Sequence, residues 1–468
     1  MCKDTSNNSI FQEKMLFSLP ETVSDKKICV DFNAPDMSSN GGLMLLGNMH
    51  GSLAWKIGNL IPDFRRQEFV HHSYMEMVSQ RIGQILCGYE DANDCNQLRG
   101  DSALKMSVGR KPSDADLASQ STMTRLENNV GMKTLYKIGK LFVDDYIASF
   151  DKAPKKVIVD ADDTNANTYG AQQLSLFNAY YNEYCYMPLL MFDGMTGKLI
   201  LPLLRPGRRN KSLSVAKIMK RLIEYLHQHW PKTIIELRGD SHFASHEFMD
   251  WAYNKWYVRY LTGLSGNQVL LGLVDKQRKR AENDYIRAQK AENDRCNTLR
   301  QGYDVKRERI VIRRYFKFEY KAGTWAHSQR VIAKIEVSAE GTNIRFVVTS
   351  NRNNSAETVY KHYCRRGEME LWIKDLKYFK ADRMSCNNYR ANCFRLFLYA
   401  AAFVMAHKMK HTIFRNTQVE RFTMDSLIKR IMLSAVYITE KKTFIRISFS
   451  PHHRHLEEMI TALGRIAA

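Results

Sequence analysis

A chain of 468 residues with 44% hydrophobic content is long enough for about three domains of ~150 residues and apolar enough to build real cores. Lys and Arg number 70 against 49 Asp and Glu, a net charge of +21 spread over almost the whole length, which points to a polyanionic partner, by default nucleic acid, met on a broad surface. The 9 cysteines fall at irregular spacing with no Cys-x-x-Cys, which excludes a zinc ribbon and suits reduced thiols in a cytosolic protein.

Residues 1–40 read as irregular and polar, with a strand-like piece at Lys27–Phe32 and no signal-peptide pattern. From Gly41 to Phe150 the period is helical: Met75, Val78, Ile82, Ile85 and Leu86 recur at helical spacing. Leu117–Gly131 reads in two ways, as a helix-turn-helix element presenting Ser121, Thr124, Arg125 and Asn128, or as a capped surface helix. Leu135–Phe150 is a long amphipathic helix. Then the texture changes. Lys156–Thr164 is a β-branched run ending in acids, Met187–Arg205 reads as two strands about a turn at Asp193-Gly194, and Ser212–Gln228 is helical. Thr233–Ser241 is a further strand ending in an acid, followed by a helix at His246–Trp256 and a strand at Val258–Leu264. That order is the one of a ribonuclease-H-like α/β sheet. Lys276–Arg300 is a charged helix, and strands at Arg309–Tyr320, Arg330–Val337 and Ile344–Thr349 make a β-rich insertion. The most apolar run, Phe394–Ala406, contains Arg395 and is too short to span a bilayer, so it reads as a buried helix. A strand-like Thr443–Ser450 and an amphipathic helix at His455–Ile466 close the chain. The expected domains are a helical DNA-binding region at 1–150, a catalytic core at 151–265 and 351–412, the β-rich insertion at 266–350, and a C-terminal region at 413–468.

Three acids stand at diagnostic places. Asp160 closes the first strand of the α/β region, Asp240 the fourth, and Glu370 follows the insertion. The C-terminal strand ends of an α/β sheet form its site edge, where these carboxylates can converge. Three carboxylates suffice to hold two divalent ions for in-line phosphoryl transfer, and Mg2+ is the natural hard ion for oxygen ligands, with Mn2+ able to substitute. Strand alternation puts Asp160 and Asp162 on one face and Asp163 on the other. Asp160 is favoured because a β-branched run precedes it directly, with Asp162 in reserve. Tyr363, Arg366, Glu370 and Lys377 fall within an arc of about 60° on a continuous α-helix. A carboxylate flanked by a phenol, a guanidinium and an ammonium suits a metal ion held beside a phosphate.

With this Tyr-x2-Arg-x3-Glu-x6-Lys signature the chain resembles the DDE-type insertion-sequence transposases, specifically their group 1. The resemblance runs through GYEDANDCNQLRGD (88–101), LASQSTMTRLEN (117–128), VDADDTNANTYG (159–170), YNEYCYMPLLMFDG (181–194), LRPGRRN (204–210), LRGDSHF (237–243) and RFVVTSN (345–351). Members of this kind carry Asp-x-Thr at the first acid; here Asp160-Ala161-Asp162 stands there. The resemblance implies a ribonuclease-H-like core with a β-rich insertion before the Glu helix. It also implies metal-dependent cutting at the ends of the protein's own element, a hairpin at the DNA end, and attack of the freed 3′-hydroxyl on target DNA. The partners would be double-stranded DNA, as terminal inverted repeats and target, and a second copy of the chain on the DNA ends. The protein would work in the cytoplasm, associated with the nucleoid. Asp160, Asp240 and Glu370 would be the catalytic metal ligands, and Tyr363, Arg366 and Lys377 would hold phosphates. Trp325 is a candidate for trapping a flipped base, against the alternative of a core tryptophan. Arg208 and Arg209 form part of a basic cluster that could grip phosphates. Two other classes compete: a nuclease of the same fold that cuts without joining, and a DNA-binding protein without a working acid triad.

Overall fold

The computed structural model describes residues 17–30, 36–208, 214–299 and 306–468. Arg209 lies outside the described residues. The chain divides into two compact units, Met1–Asn129 with Ala401–Ala468, and Val130–Ala400.

The second unit is organised by strand-end chemistry. In chain order it has α1 (Met132–Ala148), β1 (Lys156–Asp163), β2 (Leu189–Asp193), β3 (Leu199–Leu203), α2 (Val215–His229), β4 (Ile234–Gly239), α3 (His246–Tyr253) and β5 (Val258–Leu264). These are followed by α4 (Gln268–Leu299), β6 (Ile312–Tyr320), β7 (Gln329–Ser338), β8 (Gly341–Thr349), α5 (Ala356–Cys364), α6 (Gly367–Tyr378) and α7 (Tyr389–Thr412), the last running past the unit's end. One sheet of 8 strands holds them in the order β6-β7-β8-β5-β4-β1-β2-β3. β4 pairs parallel with β1 and β5, while β2 and β3 form an antiparallel meander on β1. The strands expected as a separate insertion instead continue the main sheet, because β8 pairs antiparallel with the edge of β5.

Strand alternation sorts side chains to two faces. Val157, Val159 and Ala161 of β1 enter a core with Ala216, Met219, Leu222, Ile223 and Leu226 of α2. Those five recur at helical spacing, and Ser214 caps the helix by accepting from the Lys217 N–H. Leu261, Ile332 and Val347 on the opposite face pack against Val359 and Tyr360 of α5. Val143 and Tyr146 of α1 are buried in the first core, so this helix belongs with the sheet rather than with the N-terminal region. α4 enters this core through Leu270, Val274 and Ala281.

In the first unit, helices at Leu53–Asn59, Tyr74–Leu86, Ser102–Ser107 and Gln120–Asn129 follow the expected period. The region is not all-helical: Phe17–Val23 and Lys26–Val30 form a hairpin, and Met37–Ser38 pairs with Val436–Glu440 of the C-terminal segment. Among the described residues, no helix is long and apolar enough to cross a membrane.

Trp325 is 7% exposed, in the same core cluster as Val331 and Val337, with its ring edge-on to Tyr320. This corrects its reading as a base trap, since a buried indole has no free face to stack on. Trp325→Ala should cost about 3–5 kcal/mol of stability by leaving a cavity. Denaturant unfolding would show the loss, with DNA affinity of the folded fraction unchanged.

Candidate active site

The face of β1 opposite the α2 core carries Asp160 and Asp162. Asp160 is 0% exposed, and its carboxylate forms a two-pronged pair with Arg238 of β4, at 2.5 Å from Nε and 2.6 Å from Nη2. The two residues are direct partners in the parallel β1–β4 register. Gly194 closes over this pair: a Cβ there would lie 2.5 Å from Asp160 Oδ2 and 2.8 Å from Arg238 Nη2, so no side chain fits. Burial pushes the Asp160 carboxyl up, against the pull of the Arg238 guanidinium. Both oxygens are committed and dry, which leaves this group poorly suited to the metal-ligand role expected for it.

Arg238 also donates from Nη1 to the His362 carbonyl at 2.8 Å, and His362 Nε2 meets the Glu236 carboxylate. Glu236 and Arg238 thus anchor the end of α5 to β4. The helix does not run on through the signature. It ends at Cys364, two turn residues follow, and α6 starts at Gly367. Through the break the bonds tighten, Arg366 N–H to Tyr363 O at 3.0 Å and Met369 N–H to Arg366 O at 3.0 Å. This corrects the expectation of one continuous face for Tyr363, Arg366, Glu370 and Lys377.

The break delivers Arg366 to Asp162, with Nη2 2.6 Å from Oδ2. The Asp162 carboxyl is raised to about 6, chiefly by burial, with Arg366 opposing and the Asp240 charge adding to the rise. Arg366 Nε is buried and has no hydrogen-bond partner among the described residues. Burial works against the Arg366 charge, but Asp162, Tyr363 and Asp240 hold its pKa above the ordinary value. Asp240 follows β4 and caps a short turn, its Oδ1 accepting from the His242 N–H at 2.8 Å, with His242 Nδ1 3.3 Å from Oδ2. Burial likewise raises the Tyr363 phenol, whose oxygen would lie 2.9 Å from a Cβ on Gly263. Gly263 thereby admits the phenol beside Asp240 and Ser241.

Asp162, Asp163, Asp240, His242, Arg205, Arg208 and Arg366 line one open cleft of about 810 Å³. Asp163 is ion-paired with Arg205. Arg208 is exposed, its Nε 3.4 Å from the Phe177 carbonyl. Glu370 is exposed on α6 and is not part of this lining. Among the described residues, no group of three or more His, Cys, Asp or Glu side chains is gathered as a metal cage. Lys377 borders a separate small hollow with Thr164 and Pro188. In the first unit, Arg125 is exposed with Ser121, Thr124 and Asn128, and its Nε donates to the Ser121 carbonyl at 3.2 Å.

The mixed sheet thus brings carboxylates at the ends of adjacent parallel strands to one cleft that is also lined by arginines. The chain belongs to the family described as transposase DDE domain group 1, which matches residues 20–468. Solved structures similar to it include a piggyBac transposase synaptic complex with hairpin DNA, at 10% identity, covering 86% of this chain and 80% of that chain, with a TM-score of 0.43. No protein of curated function matches the chain. The family generally uses divalent metal ions.

Proposed function

We propose that this transposase cuts the ends of its own insertion sequence and joins the 3′-hydroxyl ends to target DNA, with Asp162, Asp240 and Glu370 as metal-binding carboxylates. The observation that carries this reading is the pair Asp162 and Asp240 on one cleft, with Arg366 2.6 Å from Asp162 and its Nε unpartnered. The strand order β3-β2-β1-β4-β5, antiparallel then parallel, supports a ribonuclease-H-like core. Asp162 replaces Asp160 in the proposal because the latter's oxygens are held by Arg238.

The donor set fits a hard divalent cation: Asp162 and Asp240 offer carboxylate oxygens to one cleft, and a bound cation would offset the burial that raises the Asp162 carboxyl. Mg2+ bound there, as a pair of ions with Mn2+ able to substitute, would activate an attacking oxygen and stabilise the leaving one. Arg366 has the part of a phosphate clamp: a planar fork can bridge two oxygens, and Nε is still open. Tyr363, beside Asp240, can donate its phenol proton to a phosphate oxygen. Lys377 adds positive charge one element further along. Glu370 lies one helical turn beyond Arg366 and would be the third carboxylate of the set. The surplus of cations suits double-stranded DNA, with a second copy of the chain joining on the paired ends, in the cytoplasm.

The deciding experiment uses plasmid DNA carrying the element's own ends and a target plasmid, with Mg2+. Joined products support a transposase; cut ends without joined products support a nuclease of the same fold. A proton and a cation compete for Asp162. A carboxylate with a raised pKa takes up its proton earlier as pH falls. Divalent binding should therefore weaken by up to about tenfold per unit below about pH 6 and level off above it. Calorimetric Mn2+ titration across that range checks this; an unchanged affinity down to about pH 5 would remove Asp162 from the ligand set.

A further inference from the structure

Between β1 and β2 the chain leaves the large sheet and forms a small one from Ala166–Asn167, Leu176–Asn178 and Glu183–Tyr186. The tip of its hairpin lies on the wall of the acid cleft. Phe177, Tyr180 and Tyr181 line that cleft together with Arg208 and Arg366. Tyr180 is 83% exposed, its ring edge-on to Tyr181 with centroids 4.9 Å apart.

The tip is built to hold these rings out. Asn182 takes a left-handed φ of 54°, which turns the chain back after the tyrosines. The Tyr180 N–H donates to Asn178 Oδ1 at 3.0 Å, and Asn178 Nδ2 donates to the Gly207 carbonyl at 2.9 Å. Gly207 allows that close seat, since a Cβ there would be 2.3 Å from both the Cys185 and Leu176 carbonyl oxygens. Tyr180 contributes little to any core, so its exposed ring is available to a ligand.

We propose that this aromatic tip stacks unpaired bases of a DNA strand whose phosphates run into the acid cleft. A nucleobase offers a flat π-face and a phosphate offers negative charge; the tip supplies rings and the same cleft supplies arginines. The cleft volume of about 810 Å³ lies within the range of about 300–1,000 Å³ that takes compact ligands, enough for a nucleotide beside the acids. Mixed charge inside the cleft argues against a lipid surface. The proposal rests on reading the cleft as the DNA-cutting site, yet it makes its own binding claim.

The test is fluorescence anisotropy on the full chain, with a short labelled oligo-dT and a blunt duplex of equal length. Tyr180→Ala should weaken oligo-dT binding about fivefold or more and leave duplex binding within about twofold, because one stacked base accounts for that much affinity. Tyr180→Phe keeps the ring and should bind like the natural protein. Equal weakening of both DNAs, no weakening of oligo-dT, or a Phe variant as defective as the Ala variant overturns the proposal. If the natural protein fails to cut element ends while Tyr180→Ala still loses oligo-dT selectively, the functional reading falls and the stacking site stands.

Discussion

Asp162→Asn and Asp240→Asn should each lose DNA-end cleavage by more than about 100-fold, because even groups outside a metal's direct ligands cost 10–100-fold when removed. Each substitution removes one negative oxygen from the cleft yet keeps the side chain's shape. End binding should stay largely intact, since phosphate contacts made elsewhere by Lys and Arg position the duplex. Asp240→Asn retains an oxygen to accept from the His242 N–H, so the turn after β4 should hold. Gel resolution of nicked and joined products, beside a binding isotherm, separates the two effects. Cleavage near the natural rate by either variant would remove that acid from the site.

Asp160→Ala should instead act on stability. It strands Arg238, 1% exposed, beside an emptied carboxylate position. Breaking such a buried pair costs about 3–5 kcal/mol, much of it from the uncompensated charge. The Arg238 bond to the His362 carbonyl would be disturbed too, loosening the anchor of α5. Asp160→Asn is the milder probe: the folded fraction should still cleave with Mg2+. Full stability with lost cleavage in Asp160→Asn would restore the role first expected for Asp160.

The difference between those two aspartates shows where sequence reading runs out. Alternation along β1 placed Asp160 and Asp162 on one face, and they do share it. What separates them is Arg238, 78 residues away, which claims the inner acid through the strand register. One signal lay in plain view: Asp162-Asp163-Thr164 is itself an Asp-x-Thr, two residues beyond the position favoured. The α5–α6 break was similarly veiled. Helical spacing of Tyr363, Arg366, Glu370 and Lys377 is real arithmetic, but it presumes an unbroken helix. Gly367, a weak helix former just after the turn, marks the place where that assumption fails.

β6, β7 and β8 were legible as strands, close to their observed bounds. That they extend the main sheet follows from the pairing of β8 with β5, an edge match that local periodicity does not encode. Trp325 was ambiguous for the same reason, since its burial depends on Tyr320 and the core around Val331. The order of strands β1 to β5 was readable because each is a short apolar or β-branched run bounded by turn residues or acids. Chain texture thus locates elements, while partners distant in sequence decide which of two neighbouring acids is sealed in a buried pair and which lines the cleft.

The most direct measurement is iron-mediated cleavage of the protein's own backbone, with Fe2+ standing in for the divalent ion and ascorbate and peroxide generating radicals at the bound metal. Cuts should map beside Asp162 on β1 and beside Asp240 after β4, be suppressed by excess Mg2+, and vanish in Asp162→Asn. Cuts confined to other segments, or a pattern unchanged in that variant, would contradict the assignment of this cleft as the metal-dependent site of the transposase.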